Sequence, residues 1–250
     1  MYKDKVIIIP VHNQLHLLKE CIESVLLYTE NPKIIVIDDG SDKETQEWII
    51  DNCPIVIRMN DAMGFSYSCN KGIDYAIENY DFNCLCLLNS DTRIESETWF
   101  RKVEECFIVG DKIGIAGVMS DNALAQTVKN KPEYIRNIND KPTVYSYLIH
   151  GFCYFIGIDL LMTIGHLDEY LFPHYGSEDD YSMKSLAAGY KNLVVGSVFI
   201  HHHNSASYSD KQRNTIIKRS APDFHNRWGI NYINRCGVQS VKVGNYINNK

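Results

Sequence analysis

The sequence predicts an α/β fold, an open and mostly parallel twisted sheet flanked by helices and Rossmann-like in its first half. Three observations carry this. Short β-branched runs, such as Val6-Ile7-Ile8-Ile9 and Ile34-Ile35-Val36-Ile37, read as strands buried on both faces. Stretches whose apolar residues recur at three and four positions, such as Leu15, Leu18, Ile22, Val25 and Leu26, read as amphipathic helices. The two kinds alternate, and a β-α-β-α-β order lays parallel strands in one sheet with the connecting helices on its faces.

The elements follow in turn. Pro10 ends the first strand, and Asn13 is placed to cap the first helix. After the second strand, Ser41 with Glu44 three residues later resembles a capping box and opens a helix through Trp48 and Ile49. Residues 55–57 make a third strand, and a helix after Gly64 carries Tyr67, Ile73, Ala76 and Ile77. Residues 85–88 and 113–118 read as the fourth and fifth strands. Residues 120–142 are polar and break the rhythm, so they read as an excursion from the sheet. Strand-like segments return at 144–149 and 152–156, then a helix near 181–188, a strand at 193–200 and a helical tail over 210–228. With no internal repeat and no low-complexity linker, residues 1–250 are expected to form one domain, with halves of about 1–120 and 121–250.

Composition narrows the function. Hydrophobic residues make up 45 % of the 250, enough for a sizeable core. The formal net charge of -6 argues against broad capture of nucleic acid, which needs clustered Lys and Arg. Eight cysteines are scattered without a C-x-x-C pair, so they read as reduced core residues rather than a disulfide framework. Cys84 and Cys86 are two apart on one strand and share a face. No stretch approaches the roughly 20 apolar residues that span a bilayer. The first apolar run is too short for a signal peptide, so the expected location is cytoplasmic, with any membrane contact peripheral.

In an open parallel sheet, ligands bind beyond the carboxyl ends of the strands. Those ends carry Pro10-Val11-His12-Asn13, Asp38-Asp39-Gly40-Ser41, Asn60-Asp61-Ala62-Met63-Gly64 and Asn89-Ser90-Asp91-Thr92. Asx and Gly are common in turns, so any one of these alone is weak, but four on one edge mark a site. Neither a G-x-x-x-x-G-K-[ST] loop nor a G-x-G-x-x-G turn is present, which removes P-loop kinases and Rossmann dehydrogenases. A diphosphate here needs another partner, and a divalent cation with oxygen ligands supplies one.

The order and spacing of these motifs, with Asn70-Lys71-Gly72 after Gly64, resemble the family 2 glycosyltransferases of the GT-A fold across roughly residues 5–230. The resemblance implies an inverting transfer of one sugar from a UDP-, dTDP- or GDP-sugar to a hydroxyl on a glycan or other acceptor, with Mn²⁺ or Mg²⁺ as cofactor. It assigns the first half to the nucleotide-sugar and the second to the acceptor. Pro10, His12, Asn13, Asp38 and Asp39 are placed around the nucleoside, with Gly64, Asn70, Asn89 and Ser90 also on the donor side. The family's D-x-D motif falls on Asn89-Ser90-Asp91, which leaves Asp91 as the anionic metal ligand. The acidic segment near the second-half helix falls on Glu178-Asp179-Asp180, with Asp179 favoured as the general base and Glu178 next. Among His201, His202 and His203, spacing favours His202 as a metal ligand, followed by a Ser-rich loop at Ser205-Ala206-Ser207. Zinc is disfavoured, because a strand sends neighbouring side chains to opposite faces and no Cys or His pair sits nearby at zinc-finger spacing. Phe224-His225-Asn226-Arg227-Trp228-Gly229 resembles a family ending in which Arg227 would neutralise diphosphate, although Trp228 could equally serve packing. Gly151-Phe152-Cys153 falls where sugar and acceptor pockets meet. Two other classes remain: a nucleotidyltransferase of related fold, disfavoured by the lack of a Gly-rich basic first loop, and a non-catalytic nucleotide-sugar-binding module.

Overall fold

The computed structural model describes residues 3–109, 112–203 and 210–229. The first half alternates β1 (Val6–Val11), α1 (Leu15–Tyr28), β2 (Lys33–Asp39), α2 (Lys43–Asn52), β3 (Val56–Met59), α3 (Phe65–Asn79) and β4 (Cys84–Leu88). A short β5 (Thr92–Ile94), α4 (Trp99–Val109) and β6 (Ile113–Met119) follow. The second half holds α5 (Lys131–Arg136), β7 (Thr143–Tyr145), β8 (Cys153–Gly157), α6 (Ile158–Ile164), α7 (Ser177–Ala187), β9 (Lys191–His202) and α8 (Asp210–Trp228). No helix among the described residues is long and apolar enough to cross a membrane.

The strands form one sheet in the order β3-β2-β1-β4-β8-β6-β9-β5, with β7 also paired to β9. β1 pairs in parallel with β2 and β4, β2 with β3, and β6 with β9. β8 lies antiparallel between β4 and β6, and β5 and β7 are antiparallel to β9. Two antiparallel steps restore direction, so β1, β2, β3, β4, β6 and β9 all end on the same edge. That edge collects the chemistry.

Burial explains the continuous apolar runs. β1, β4 and β8 are buried at every position. One core packs α1, α2 and α4 on one face of the sheet, through residues such as Leu18, Val25, Ile49, Trp99 and Phe100. The other packs α3, α6 and α7 through Ile73, Ala76, Leu160 and Tyr181. Cys84 and Cys86 do share a face, and both lie in the first core.

Several local expectations are corrected. Asn13 does not cap α1, because residues 13 and 14 are both left-handed, with φ 61 and 59. Asn13 instead accepts from the Asp42 amide at 2.7 Å, and its own amide donates to Ser41 Oγ at 2.9 Å, which ties the loop after β1 to the loop after β2. With Ser41 so engaged, Asp42 caps α2 by accepting from the Thr45 amide at 2.9 Å. The 120–142 excursion contains α5 and two 3₁₀ turns, and the strand expected over 144–149 shrinks to β7. β5 and α6 were not foreseen. β5 has three residues and α6 seven, both short for a periodic signal.

Candidate active site

The strand-end edge presents two chemically distinct corners. The first is built by β4, β5, β6 and β9. β5 turns back from the end of β4 and pairs with β9, with Thr92 opposite His202. This register brings Asp91 beside the end of β9, where the His203 amide donates to the Asp91 carbonyl at 3.0 Å. His202 Nε2 lies 3.3 Å from Asp91 Oδ1, and the imidazole is only 4 % exposed. Its Nδ1 donates to the Asn122 carbonyl at 2.7 Å, which fixes the ring so that Nε2 faces the carboxylate. Burial disfavours the charged imidazole, but the Asp91 carboxylate outweighs it and the His202 pKa is raised. Burial likewise pushes Asp91 up, and the His202 contact outweighs it, so the carboxyl sits below its ordinary value. The neighbouring histidines turn elsewhere: His201 to Asp121, and His203 to Glu20 at 2.8 Å. Of the three, His202 is therefore the one whose ring meets the Asp91 carboxylate.

The second corner is the start of α7. Gly176 takes φ 96, and Ser177, Glu178, Asp179 and Asp180 form the first turn. Successive residues on a helix point about 100° apart, so the three acids do not form one cluster. Glu178 is half-buried and lies against Gly151, where an added Cβ would come within 3.1–3.3 Å of its side chain. Asp179 is 3 % exposed. Asp180 is completely buried and faces α8: its Oδ1 accepts from Arg227 Nη1 and Trp228 Nε1, each at 2.8 Å. Lys184 Nζ stands 2.8 Å from its Oδ2. Asp180 is thus enclosed by two cations and an indole N–H.

Two adjacent residues join the corners. Phe152 stacks on His202, with ring centroids 5.1 Å apart and planes at 22°. Gly151, next to it, abuts Glu178. The Asn89 amide donates to the Phe152 carbonyl at 2.9 Å, holding the Asn89-Ser90-Asp91 turn beside the same loop.

At the ends of β1, β2 and β3, β1 carries Pro10 inside the strand, and His12 Nδ1 donates to the Asp39 carbonyl at 2.8 Å. The Asp38 carboxylate pairs with Arg58 at 2.9 Å and accepts from the Ser41 amide. The Asp39 carboxylate accepts from the amides of Met63 at 2.7 Å and Gly64 at 3.0 Å. Gly64 must be glycine, since its φ is 101 and a Cβ would fall 2.7 Å from the Pro173 carbonyl. The loops after β1, β2 and β3 are thereby locked together.

Two of the residues expected on the donor bond to distant parts of the chain. Asn70, expected on the donor, is 7 % exposed and holds the chain before α7, bonding Leu167 through both its amide and carbonyl groups and Glu169 at 2.8 Å. Arg227, expected on the diphosphate, bridges Asp180 and Asp168 and lies 5.4 Å over the Phe172 ring. Ser205-Ala206-Ser207 lie outside the described residues. The sequence reading missed Asp121, Asn122 and Glu20, which orient the three histidines. Asp121 and Asn122 lie within three residues of the end of β6, where the strand-end rule applies.

Residues 6–154 match the family model described as glycosyl transferase family 2. The chain belongs to this family. Its resemblance to solved structures extends the likeness past residue 154. A mannosyltransferase from Pyrobaculum calidifontis, in complex with GDP-Man and Mn²⁺, superposes with TM-score 0.61 at 14 % identity, over 88 % of this chain and 61 % of that one. GalNAc-T7 with UDP, GalNAc and Mn²⁺ superposes with TM-score 0.63 at 16 % identity, over 90 % of this chain and 50 % of that one. At such identities the likeness establishes the GT-A fold. Among curated proteins, y4gI of Sinorhizobium fredii is 25 % identical over 251 aligned residues, which cover 89 % of this chain and 27 % of that protein. The family 2 chain thus spans about a quarter of that relative's length.

Proposed function

We propose that this family 2 chain is an inverting, metal-dependent glycosyltransferase that moves one hexose from a nucleoside-diphosphate sugar to an acceptor hydroxyl. The supporting observation is the continuous contact from Asp91 and His202 through Phe152 and Gly151 to Glu178, all on the edge where the parallel strands end. The two structural neighbours carry GDP- or UDP-type ligands with Mn²⁺, which supports a donor of this class.

Asp91 and His202 would hold the cation. They supply one carboxylate and one imidazole 3.3 Å apart, and no group of three ligating side chains exists among the described residues. That donor set fits a cation whose remaining positions go to diphosphate oxygens and water, and the nitrogen favours Mn²⁺ over the harder Mg²⁺. When bound, the cation acts as a Lewis acid for the departing nucleoside diphosphate. The loops at His12, Asn13, Asp38 and Asp39 hold the nucleoside in place. Phe152 backs the imidazole and keeps water from its buried face.

Glu178 is the general base in this account, ahead of Asp179. It is the more accessible of the two and touches the Gly151 turn that reaches the metal corner, whereas Asp179 is 3 % exposed. Its carboxylate takes the acceptor hydroxyl proton as the oxygen attacks the anomeric carbon from the face opposite the diphosphate.

The test is a panel of UDP-, dTDP- and GDP-sugars with Mn²⁺, read as release of nucleoside diphosphate in the presence of glycan acceptors. One donor should turn over, and Asp91→Ala should abolish turnover. Transfer by Asp91→Ala at the parent rate would reject the metal assignment.

A further inference from the structure

Residues 165–176 connect α6 to α7 and are held from two sides. On the α3 side, Asn70 brackets Leu167, accepting from its amide and donating to its carbonyl, each at 3.0 Å. Ser66 Oγ donates to the Phe172 carbonyl at 2.5 Å, and the Ser66 amide to the Pro173 carbonyl at 3.1 Å. On the α8 side, Arg227 Nη2 donates to Asp168 Oδ2 at 2.9 Å. Asp168 Oδ1 in turn accepts from the amides of Tyr170 at 3.2 Å and Leu171 at 3.0 Å. Phe224 of α8 packs on Phe172 with centroids 6.2 Å apart. The segment is therefore a strap, fixed by one helix of the donor half and by the last helix described.

The strap ends at the turn that carries Glu178, and α8 grips that turn as well. Arg227 places one nitrogen on Asp168 and the other on Asp180, and Trp228 adds its indole N–H to the same Asp180 oxygen. A carboxylate with no solvent exposure needs such compensation, since removing one partner leaves an unbalanced buried charge. The guanidinium suits this place because its planar fork reaches two carboxylates at once. Asp180 stands two residues after Glu178 on the same rigid turn, so its anchorage sets the direction in which Glu178 points.

We propose that Asp180, Arg227 and Trp228 form a latch that clamps α8 across the strap and the first turn of α7, and thereby positions Glu178. All three are positioning residues. The proposal rests on the reading of Glu178 as the base. Its signature is kinetic: loosening the latch misaims the base without touching the nucleoside loops, so kcat falls while the donor KM holds.

The experiment uses Asp180→Asn with two readouts. The first is the Trp228 indole N–H resonance in ¹H–¹⁵N spectra, assigned by its loss in Trp228→Phe and recorded without donor or acceptor. The second is steady-state transfer. The latch predicts that the resonance moves on Asp180→Asn, that kcat falls roughly 100-fold as expected for about 1 Å of misplacement, and that the donor KM changes little. A folded variant with an unmoved resonance, or with a moved resonance and parental kcat, overturns the latch. Arg227→Lys keeps the charge but loses the two-carboxylate reach, so it gives the same readouts in the same direction should Asp180→Asn fail to fold. A parent chain that transfers no sugar from any donor defeats the functional reading instead, and the indole signal tells the two failures apart.

Discussion

The two corners of the site are held in opposite ways. Asp91 is fixed by strands: β4 delivers it, β5 turns it back, and the pairing with β9 brings His202 to it. Glu178 is fixed by helices and by the strap, and the elements that brace it, α3 and α8, are far apart in sequence. Backbone pairing places a residue through hydrogen bonds that its own side chain does not make. Helix packing holds it only as well as the side chains between the helices fit. The strand-built corner should therefore tolerate substitution around it and depend on its ligating atoms, while the helix-built corner should respond to changes well away from the chemistry.

Predictions that separate the corners can be ranked by size. The largest effect falls on the acids themselves. Glu178→Gln should lower kcat by about 10³-fold, within the range for loss of a general base, and leave donor binding intact. Asp179→Asn should lower it less, and the reverse order would move the base to Asp179. Next is Gly64→Ala, where φ is 101 and a Cβ would meet the Pro173 carbonyl at 2.7 Å. It should destabilise the fold by about 1–3 kcal/mol, seen in denaturant titration, because a strained backbone is forced onto a residue with a side chain. Gly151→Ala should be milder. Its Cβ meets Glu178 at 3.1 Å, so the carboxylate must move, and kcat should drop by about tenfold with stability little changed, as for a small displacement of a reacting group.

The smallest effect concerns acid stability of the strap. Burial pushes the Asp168 carboxyl up, but the Leu171 amide and the Arg227 guanidinium outweigh it, and its folded pKa lies below the ordinary value. A group depressed in the folded state stabilises fully above its unfolded pKa, near 3.9 for Asp, and that stability is lost as pH falls through the lower folded value. Melting temperature should therefore fall more steeply below about pH 4 in the parent than in Asp168→Asn. Parallel curves would show that the strap draws nothing from this carboxylate.

The difference between the corners also explains what could be read in the sequence. Strand-end loops are local: each follows its strand within two or three residues, so the stretches at His12, Asp38, Gly64 and Asp91 were legible from periodicity and turn chemistry alone. Asp121 was equally local but was passed over because residues 120–142 read as a single excursion. The acids of α7 were legible as a group and not as individuals. Three consecutive carboxylates look like one cluster in a string, but helical geometry sends Glu178 toward Gly151 and Asp180 toward α8. The partners of Asn70 and Arg227 are illegible in the sequence for a related reason. Their partners lie 97 and 59 residues away at Leu167 and Asp168, and no local pattern encodes which side chain a distant helix will meet.

In the proposed reaction the strand-built corner binds and the helix-built corner activates. Single-turnover transfer by Glu178→Gln at saturating donor and Mn²⁺ tests it most directly. Donor affinity should equal that of the parent, and transfer should be slower by about 10³-fold. Transfer at the parent rate, or a loss of donor affinity matching the loss of rate, would contradict it.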